Sequence, residues 1–167
     1  MKNIFKSIHR KWNLFRVNKI YKGTKHFEKK RKLLNAIGFK IGKGTKIVAP
    51  IECCGGLTIG ENCWIGKNLV VNGNGQVIIG NNCDIAPEVT FQTGGHVIGE
   101  EDHRAGAGFN CIQIVEDGVW IGGRSTIIGN TKIKHGSVVA GCACVVKDVE
   151  QNSLVGGVPA KLIKELN

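Results

Sequence analysis

The feature of the sequence that most constrains its fold is a six-residue repeat. An apolar residue recurs at every sixth position through three runs, at 41, 47, 53, 59, 65, 71 and 77, then at 79, 85, 91 and 97, and finally at 115, 121, 127, 133, 139 and 145. A smaller or branched residue usually precedes it by two positions, and Gly often follows it. A period of six fits neither the two-residue alternation of an ordinary strand nor the 3.6-residue period of a helix. It predicts a polygonal coil of three hexads per turn, about five coils in all, each rising by ~4.8 Å around a buried aliphatic column.

Composition and charge separate this repeat from the N-terminal part of the chain. The 24 Gly and the hydrophobic fraction of 42% suit many short strands joined by tight turns. The net charge of +10 is confined to residues 1–40, where Glu28 is the one acidic residue and thirteen of the 23 Lys and Arg residues lie. We therefore expect no nucleic-acid partner for the repeat, and we expect the basic segment to suit anionic lipid or another polyanion.

The cysteine pattern and the absence of long apolar runs favour the cytoplasm. The seven Cys residues, at 53, 54, 63, 83, 111, 142 and 144, include no CxxC pair and have no matching His cluster. Disulfides and structural zinc are therefore not expected, and small buried thiols in a reducing compartment are. The sequence shows neither an apolar run of about 18 residues nor a signal peptide.

Three segments are predicted. Residues 1–38 form a basic helical segment, 39–150 form the β-helix, and 151–167 form a C-terminal turn and a short helix that begins at Pro159. A first helix presents an apolar face surrounded by basic residues, the face being Ile4, Phe5, Ile8, Trp12 and Phe15 and the basic residues Lys2, Lys6, Arg10, Lys11 and Arg16. A second helix covers about 24–37 and stops at Gly38. Residues 1–37 either contact a membrane peripherally or pack on the coil or on a neighbouring subunit.

The repeat is interrupted between about 94 and 114, where the sequence reads GGHVIGEEDHRAGAGFNCIQI. A loop of about 20 residues inside a solenoid is uncommon unless it is functional. His96 lies at the edge of the rigid coil, whereas His103 and Arg104 lie well inside the loop. Rigid placement favours His96 as a catalytic group, with a purely structural histidine as the alternative.

Several motifs resemble the hexapeptide-repeat acyltransferases. They are IGENCWIG, IGNNCDIAP, the GGH loop, EDGVWIGGRSTIIGNTKIKHGSVVAGCACVVKDV and SLVGGVPAKLIKEL, and they cover about residues 38–167. The resemblance is to the sugar and polysaccharide O-acetyltransferase branch, similar to galactoside and maltose acetyltransferases. It implies a left-handed parallel β-helix, a homotrimer with active sites between neighbouring coils, acetyl-CoA as co-substrate and no required metal.

The resemblance also assigns roles to residues. His96 would be the general base that takes the acceptor hydroxyl proton, oriented by Glu88, Asp84 or a backbone carbonyl. The CoA-binding candidates are Gly123, whose N–H would hold the oxyanion, then Gly141, Lys147, Lys161 and Lys164. The acceptor-binding candidates are Asn68, Asn72, His103, Arg104 and Trp120. The predicted acceptor is a sugar or a lipid-linked glycan, met at the inner face of the membrane.

Three other functions are compatible with parts of this pattern. A γ-class carbonic anhydrase shares the coil, but the spacing of His96, His103 and His135 does not match its zinc ligands. A serine O-acetyltransferase is chemically closer, but the long N-terminal helical domain of that family has no counterpart here. A non-catalytic β-helix remains the third alternative.

Overall fold

The computed structural model describes residues 2–167. For Lys2, Asn3, Ile4 and Lys6 it describes the backbone only, so the predicted roles of the Lys2, Ile4 and Lys6 side chains lie outside the described part. The chain begins with helix α1 (Lys2–Phe15), a π-helical turn (Arg16–Ile20) and helix α2 (Phe27–Asn35). All other regular structure is β.

The strands stack into a three-sided parallel β-helix. The first face contains β1 (Lys40–Ile41), β4 (Gly56–Ile59), β7 (Gln76–Ile79), β12 (Ile112–Val115) and β15 (Lys132–Ile133). The second face contains β2 (Lys46–Ile47), β5 (Trp64–Ile65), β8 (Asp84–Ile85), β13 (Trp120–Ile121), β16 (Val138–Val139), β18 (Ser153–Gly156) and β19 (Lys161–Glu165). The third face contains β3 (Ile51–Cys53), β6 (Leu69–Asn72), β9 (Thr90–Gln92), β14 (Thr126–Ile128) and β17 (Cys144–Val145). A separate pair, β10 (Gly94–Ile98) and β11 (Ala105–Asn110), forms an antiparallel hairpin.

The predicted parallel β-helix is confirmed. Each face contributes one strand to each of five complete coils, and β18 adds part of a sixth. On the second face Ile65, Ile85, Ile121 and Val139 are direct partners in the parallel register and are fully buried. Each face of a coil needs one inward aliphatic side chain, and a face with its corner takes about six residues. This is why the apolar residues recur with a period of six.

Corners separate the faces. We call the turn from first to second face the first corner, that from second to third the second corner, and that from third face to the next coil the third corner. The second corner places Asn68, Glu88, Arg124 and Cys142 at positive φ on successive coils. Small inward residues follow the bends of the first corner, where Asn62 and Asn82 have positive φ. This explains why Cys63 and Cys83 are buried at that corner and why the Cys83 N–H lies 3.3 Å from the Cys63 Sγ.

The two N-terminal helices cover the start of the coil. Helix α2 lies inside the predicted span, and Gly38 adopts the predicted left-handed conformation with a φ of 98°. Leu34 is fully buried, and the Phe27 ring meets the Trp64 ring edge-on with centroids 6.0 Å apart. Capping of this kind shields the open end of a solenoid core from solvent.

The predicted C-terminal helix is wrong. The segment forms strand β19, which pairs antiparallel with β18. An isolated helix of about eight residues is marginal in water, whereas the edge of β18 offers N–H and C=O groups that need partners. Gly157, with a φ of 96°, lets the chain reverse between the two strands.

Candidate active site

The interruption in the repeat is an ordered hairpin at the third corner. Strands β10 and β11 pair from Gly94 with Asn110 to Ile98 with Ala105. At its base the Cys111 N–H donates to the Thr93 carbonyl over 2.8 Å, so the coil continues directly from one side of the insertion to the other. The predicted end at about 114 is too late, because residues 112–115 already form β12. The polar but fully buried Gln113 conceals the inward pattern there.

His96 is held by the hairpin itself. It lies opposite Gly108 in the strand register, its side chain is exposed, and its Nδ1 lies 2.7 Å from the Gly106 carbonyl oxygen. A carbonyl only accepts hydrogen bonds, so Nδ1 carries the proton and Nε2 keeps its lone pair. This tautomer and this fixed ring orientation are those that a general base requires.

The orienting partner of His96 is therefore a backbone carbonyl rather than a carboxylate. Glu88 instead accepts from the Arg124 Nε over 2.7 Å, and this guanidinium holds the pKa of Glu88 below its ordinary value. Asp84 lies on the second face, paired with Trp120. Of the three predicted alternatives, only the backbone carbonyl matches the structure.

A groove of about 450 Å³ runs beside His96. Its walls are the hairpin and the third corner one coil below, and its lining consists of Asn72, Gly73, Asn74, Gln92, Gly94, Gly95, His96, Gly108, Phe109 and Asn110. The lining combines amide groups, glycine backbone and one aromatic ring, and it includes no Asp, Glu, Lys or Arg. Such a surface can form many hydrogen bonds with neutral hydroxyl groups.

Sequence reasoning found His96 and Asn72 in this groove but missed its aromatic wall. The Phe109 ring lies over Gly95, where a Cβ atom would come within 2.8 Å of the ring Cζ. Gly95 of the GGH sequence therefore makes room for this ring. The Asn-Gly-Asn-Gly run at 72–75 was the signal that would have pointed to the groove floor.

The predicted CoA-contacting glycines stack at the second corner. The Cys142 N–H donates to the Gly123 carbonyl over 2.9 Å, and a Cβ atom on Gly141 would lie 3.3 Å from the same oxygen. Among residues 2–167, no acceptor pairs with the backbone N–H of Gly123 or of Gly141. Gly123 and Gly141 thus lie one above the other on the surface, and each offers a backbone N–H group to a ligand.

Two acceptor candidates lie near this same corner rather than near His96. Asn68 occupies the second corner two coils below Gly123 and contributes to a separate cavity with Asn18 and Pro50. Trp120 projects from the second face with 56% of its surface exposed. Neither residue shares the groove of His96 within one chain.

The remaining candidates lie on the hairpin turn and at the C-terminal end of the coil. His103 and Arg104 form the exposed hairpin turn, where the His103 N–H donates to the Glu100 carbonyl over 3.1 Å. Lys147 lines a cleft of about 270 Å³ at the last coil, and Lys161 and Lys164 are exposed on β19, which closes that cleft. The three lysines therefore share the C-terminal end of the coil.

The predicted base and the predicted CoA-contacting glycines thus lie at different corners of one chain. His96 and Asn72 lie at the third corner, whereas Gly123 and Gly141 lie at the second corner. The strands of the third face separate these corners. Within the described residues, no cluster of three or more His, Cys, Asp or Glu side chains is arranged to hold a metal ion.

Comparison with known proteins identifies related enzymes. The chain is 35% identical over 122 residues to a Saccharomyces cerevisiae protein named as an acetyltransferase, a match over 72% of this chain and 62% of that protein. It is 30% identical over 142 residues to the galactoside O-acetyltransferase of Escherichia coli, which covers 84% of this chain and 70% of that enzyme. No family model matches the chain.

Solved structures show the same architecture. A hexapeptide-repeat acetyltransferase from Vibrio cholerae, in complex with acetyl-CoA, superposes with a TM-score of 0.86 over 100% of this chain and 90% of its own, at 25% identity. A galactoside acetyltransferase in complex with CoA superposes with a TM-score of 0.74 over 97% of this chain and 81% of its own, at 23% identity. At that identity the second likeness concerns the fold alone.

Proposed function

This chain belongs to the hexapeptide-repeat acetyltransferases, which take acetyl-CoA as donor, and we propose that it acetylates a hydroxyl group of an uncharged sugar or glycan with His96 as general base. The observation that carries the proposal is the contact between the His96 Nδ1 and the Gly106 carbonyl, which leaves Nε2 basic on a residue that lines an uncharged groove.

The proposed reaction is a direct transfer. The His96 Nε2 takes the proton of the acceptor hydroxyl as its oxygen attacks the thioester carbonyl of acetyl-CoA. The tetrahedral oxyanion accepts a hydrogen bond from a backbone N–H, for which Gly123 is our candidate. As the C–S bond breaks, the imidazolium returns the proton to the CoA thiolate, which leaves a free thiol and an acetyl ester. The Gly106 carbonyl stabilises the His96 imidazolium because it accepts a hydrogen bond from the Nδ1–H of that ring.

The groove chemistry supports a sugar acceptor over serine. Asn72, Asn74, Gln92 and Asn110 offer both donors and acceptors to ring hydroxyls, and the Phe109 ring offers an apolar surface to a sugar face. Serine carries an ammonium and a carboxylate, each of which needs an opposite charge when it is desolvated. None of the described groove-lining residues supplies one.

We further propose that the active site forms between subunits of a homotrimer. The third corner of one subunit, with His96, would face the second corner of the next, with Gly123 and Gly141. The pantetheine arm would follow these glycines toward phosphates bound by Lys147, Lys161 and Lys164. Asn68 and Trp120 beside the second corner, and His103 and Arg104 on the hairpin turn, would then approach the acceptor from opposite subunits.

An acceptor screen with acetyl-CoA, in which release of the CoA thiol is followed, tests the proposal. We expect His96→Ala to lower kcat by about 10²–10⁴-fold, because a positioned base contributes that much, with CoA binding retained. His135→Ala is the matched control, since His135 is an exposed histidine at the first corner, away from the groove. Full activity of His96→Ala would contradict the proposed role.

Mixing two inactive variants tests the shared site. His96→Ala and Gly123→Phe damage opposite corners, so a mixed trimer would contain some sites in which both corners are intact. We expect partial activity after the two variants are unfolded and refolded together, and none after either is refolded alone. If the mixture stays inactive while each variant trimerises, the site does not lie between subunits.

A further inference from the structure

Helix α1 is fixed on the coil by one of its sides. Asn13 is buried, as is Val17 in the π-helical turn that follows, and the Arg10 guanidinium donates to the Cys53 carbonyl over 2.9 Å and lies 4.9 Å from the centroid of the Phe39 ring. Just after the helix, the Asn18 side chain bonds both the N–H and the carbonyl of Ile51. The orientation of α1 on the molecule is therefore determined by specific contacts.

The opposite side of α1 is apolar and exposed. Phe5, Ile8, Trp12 and Phe15 are spaced by three, four and three residues, so they form one stripe along the helix. Their exposed fractions run from 70% for Phe5 to 48% for Phe15. The Trp12 and Phe15 rings stack with their centroids 5.6 Å apart. A contiguous stripe of four large, exposed apolar side chains indicates a binding surface.

The charge of the N-terminal segment indicates which partner the stripe fits. Lys11, Lys19, Lys22 and Lys25 are all exposed on or just after α1. Glu28 is the one acidic residue in 1–40, and Arg31 pairs with it over 2.9 Å. The partner should therefore be both apolar and strongly anionic. A second copy of the coil is a poor match, because residues 41–167 contain ten basic and twelve acidic residues and are nearly neutral.

We infer that α1 binds an anionic lipid bilayer, lying in the plane of the headgroups with the Phe5–Phe15 stripe buried and the lysines on the phosphates. Aromatic residues beside lysines are typical of helices at this depth. Within residues 2–167, no helix combines the length and apolar character needed to cross a bilayer.

The helix is attached close to the groove of His96. Cys53, which holds Arg10, ends the third face of the first coil, and Gly55 stacks directly on Gly73 and Gly75 of the corner above. The hairpin leaves the same corner after the third coil, about 10 Å higher at the usual strand spacing. If the proposed sugar acetylation is correct, a bilayer bound to α1 would bring a lipid-linked acceptor near this groove.

Flotation of the full chain with vesicles tests lipid binding without reference to catalysis. At low salt we expect binding to vesicles of phosphatidylglycerol and phosphatidylcholine in equal parts, and little binding to phosphatidylcholine alone. The double variant Trp12→Glu/Phe15→Glu should bind at least ~10-fold more weakly, and Lys19→Glu at least ~5-fold more weakly. Val158→Glu is the control, since Val158 is 76% exposed and lies in the turn before β19. It should bind as the unmodified chain does.

Three results would overturn the inference. The unmodified chain could fail to float with the anionic vesicles, or the Trp12→Glu/Phe15→Glu variant could bind as tightly as the unmodified chain. Alternatively, sedimentation could show that the double variant loses subunits, which would mean that a second copy covers the stripe. Thermal unfolding of each variant establishes that it is folded, so that weak binding reports on the stripe.

Discussion

Gln113 holds together the corner from which the hairpin that contains His96 leaves. Its side chain is fully buried, and its Nε2 lies 3.1 Å from the Gln92 carbonyl and 3.0 Å from the carbonyls of both Ile127 and Gly129. These three carbonyls belong to the ends of the third face on two successive coils. Because the amide has only two N–H groups, one of the three bonds is shared.

Replacing Gln113 by Leu keeps the size of the side chain and removes both donors. Each lost bond lowers stability by about 1 kcal/mol, and a carbonyl left buried without a partner costs about 1–3 kcal/mol. The loss is partly offset because the Gln113 Oε1, which is buried and has no donor among the described residues, is removed as well. We expect Gln113→Leu to lower the free energy of unfolding by about 2–4 kcal/mol.

Gln113→Glu sharpens the test because its effect depends on pH. Burial against three carbonyls raises the pKa of the new carboxyl group. Above about pH 4.3 the unfolded chain releases the proton that the folded chain retains, so stability falls as pH rises. The slope is about 1.4 kcal/mol per pH unit until the pH reaches the pKa of the folded state. Gln113→Leu has no such group and should show no additional slope.

Urea unfolding followed by circular dichroism, at about pH 5 and about pH 7, measures both effects. The reasoning is refuted if Gln113→Leu is as stable as the unmodified chain, or if the two variants respond equally to pH. We also expect Gln113→Leu to lower kcat at a temperature where it is fully folded, because the corner that positions His96 is less firmly held.

Two further predictions concern the groove and the N-terminal segment. Gly95→Ala should raise the KM for the acceptor severalfold, because the new methyl group displaces the Phe109 ring. Gly94→Ala is the control, since its Cβ would meet nothing closer than 3.6 Å, and it should leave this KM nearly unchanged. Steady-state kinetics of the two variants measures the difference. Burial lowers the pKa of Lys30 to about 8 from its ordinary 10.5, so the folded chain releases a proton that the unfolded chain keeps. The free energy of unfolding of the unmodified chain, relative to that of Lys30→Met, should therefore rise by up to about 3 kcal/mol between about pH 8 and about pH 10.5. Urea titrations measure this difference, and a difference that stays constant with pH would contradict the lowered pKa of Lys30.

The coil was predictable because its geometry is local and repeated. One inward residue per face must recur at a short interval, so Ile65, Ile85 and Ile121 were identified from spacing alone as positions of the repeat, and the structure shows that they are partners in register. The same pattern predicted His96 at the edge of the coil, whereas the structure places it on strand β10 of the hairpin, opposite Gly108. Val97, which the spacing counted as a repeat position, is also on β10 and is 51% exposed.

Features that depend on long-range partners were not predictable in this way. The sequence of β19 carries a pattern that an isolated helix could satisfy, and only the edge of β18 makes the extended form better. The Gly106 carbonyl that orients His96 has no side-chain signature, because every residue supplies a carbonyl. Gln113 suggests a loop because it is polar, although its Nε2 donates to backbone carbonyls inside the corner.

The division of the candidate residues between two corners constrains how the chain can assemble. His96 lies at the third corner and Gly123 at the second, so a contact that joins them between copies uses two different surfaces of the subunit. Such a head-to-tail contact leaves one surface of each kind unused in a dimer, and it is completed only when the copies close into a ring. A three-sided coil turns by about one third of a revolution from one corner to the next, which suits closure with three copies. The shared active site and the trimer are therefore one proposal, and loss of the ring should remove every site at once.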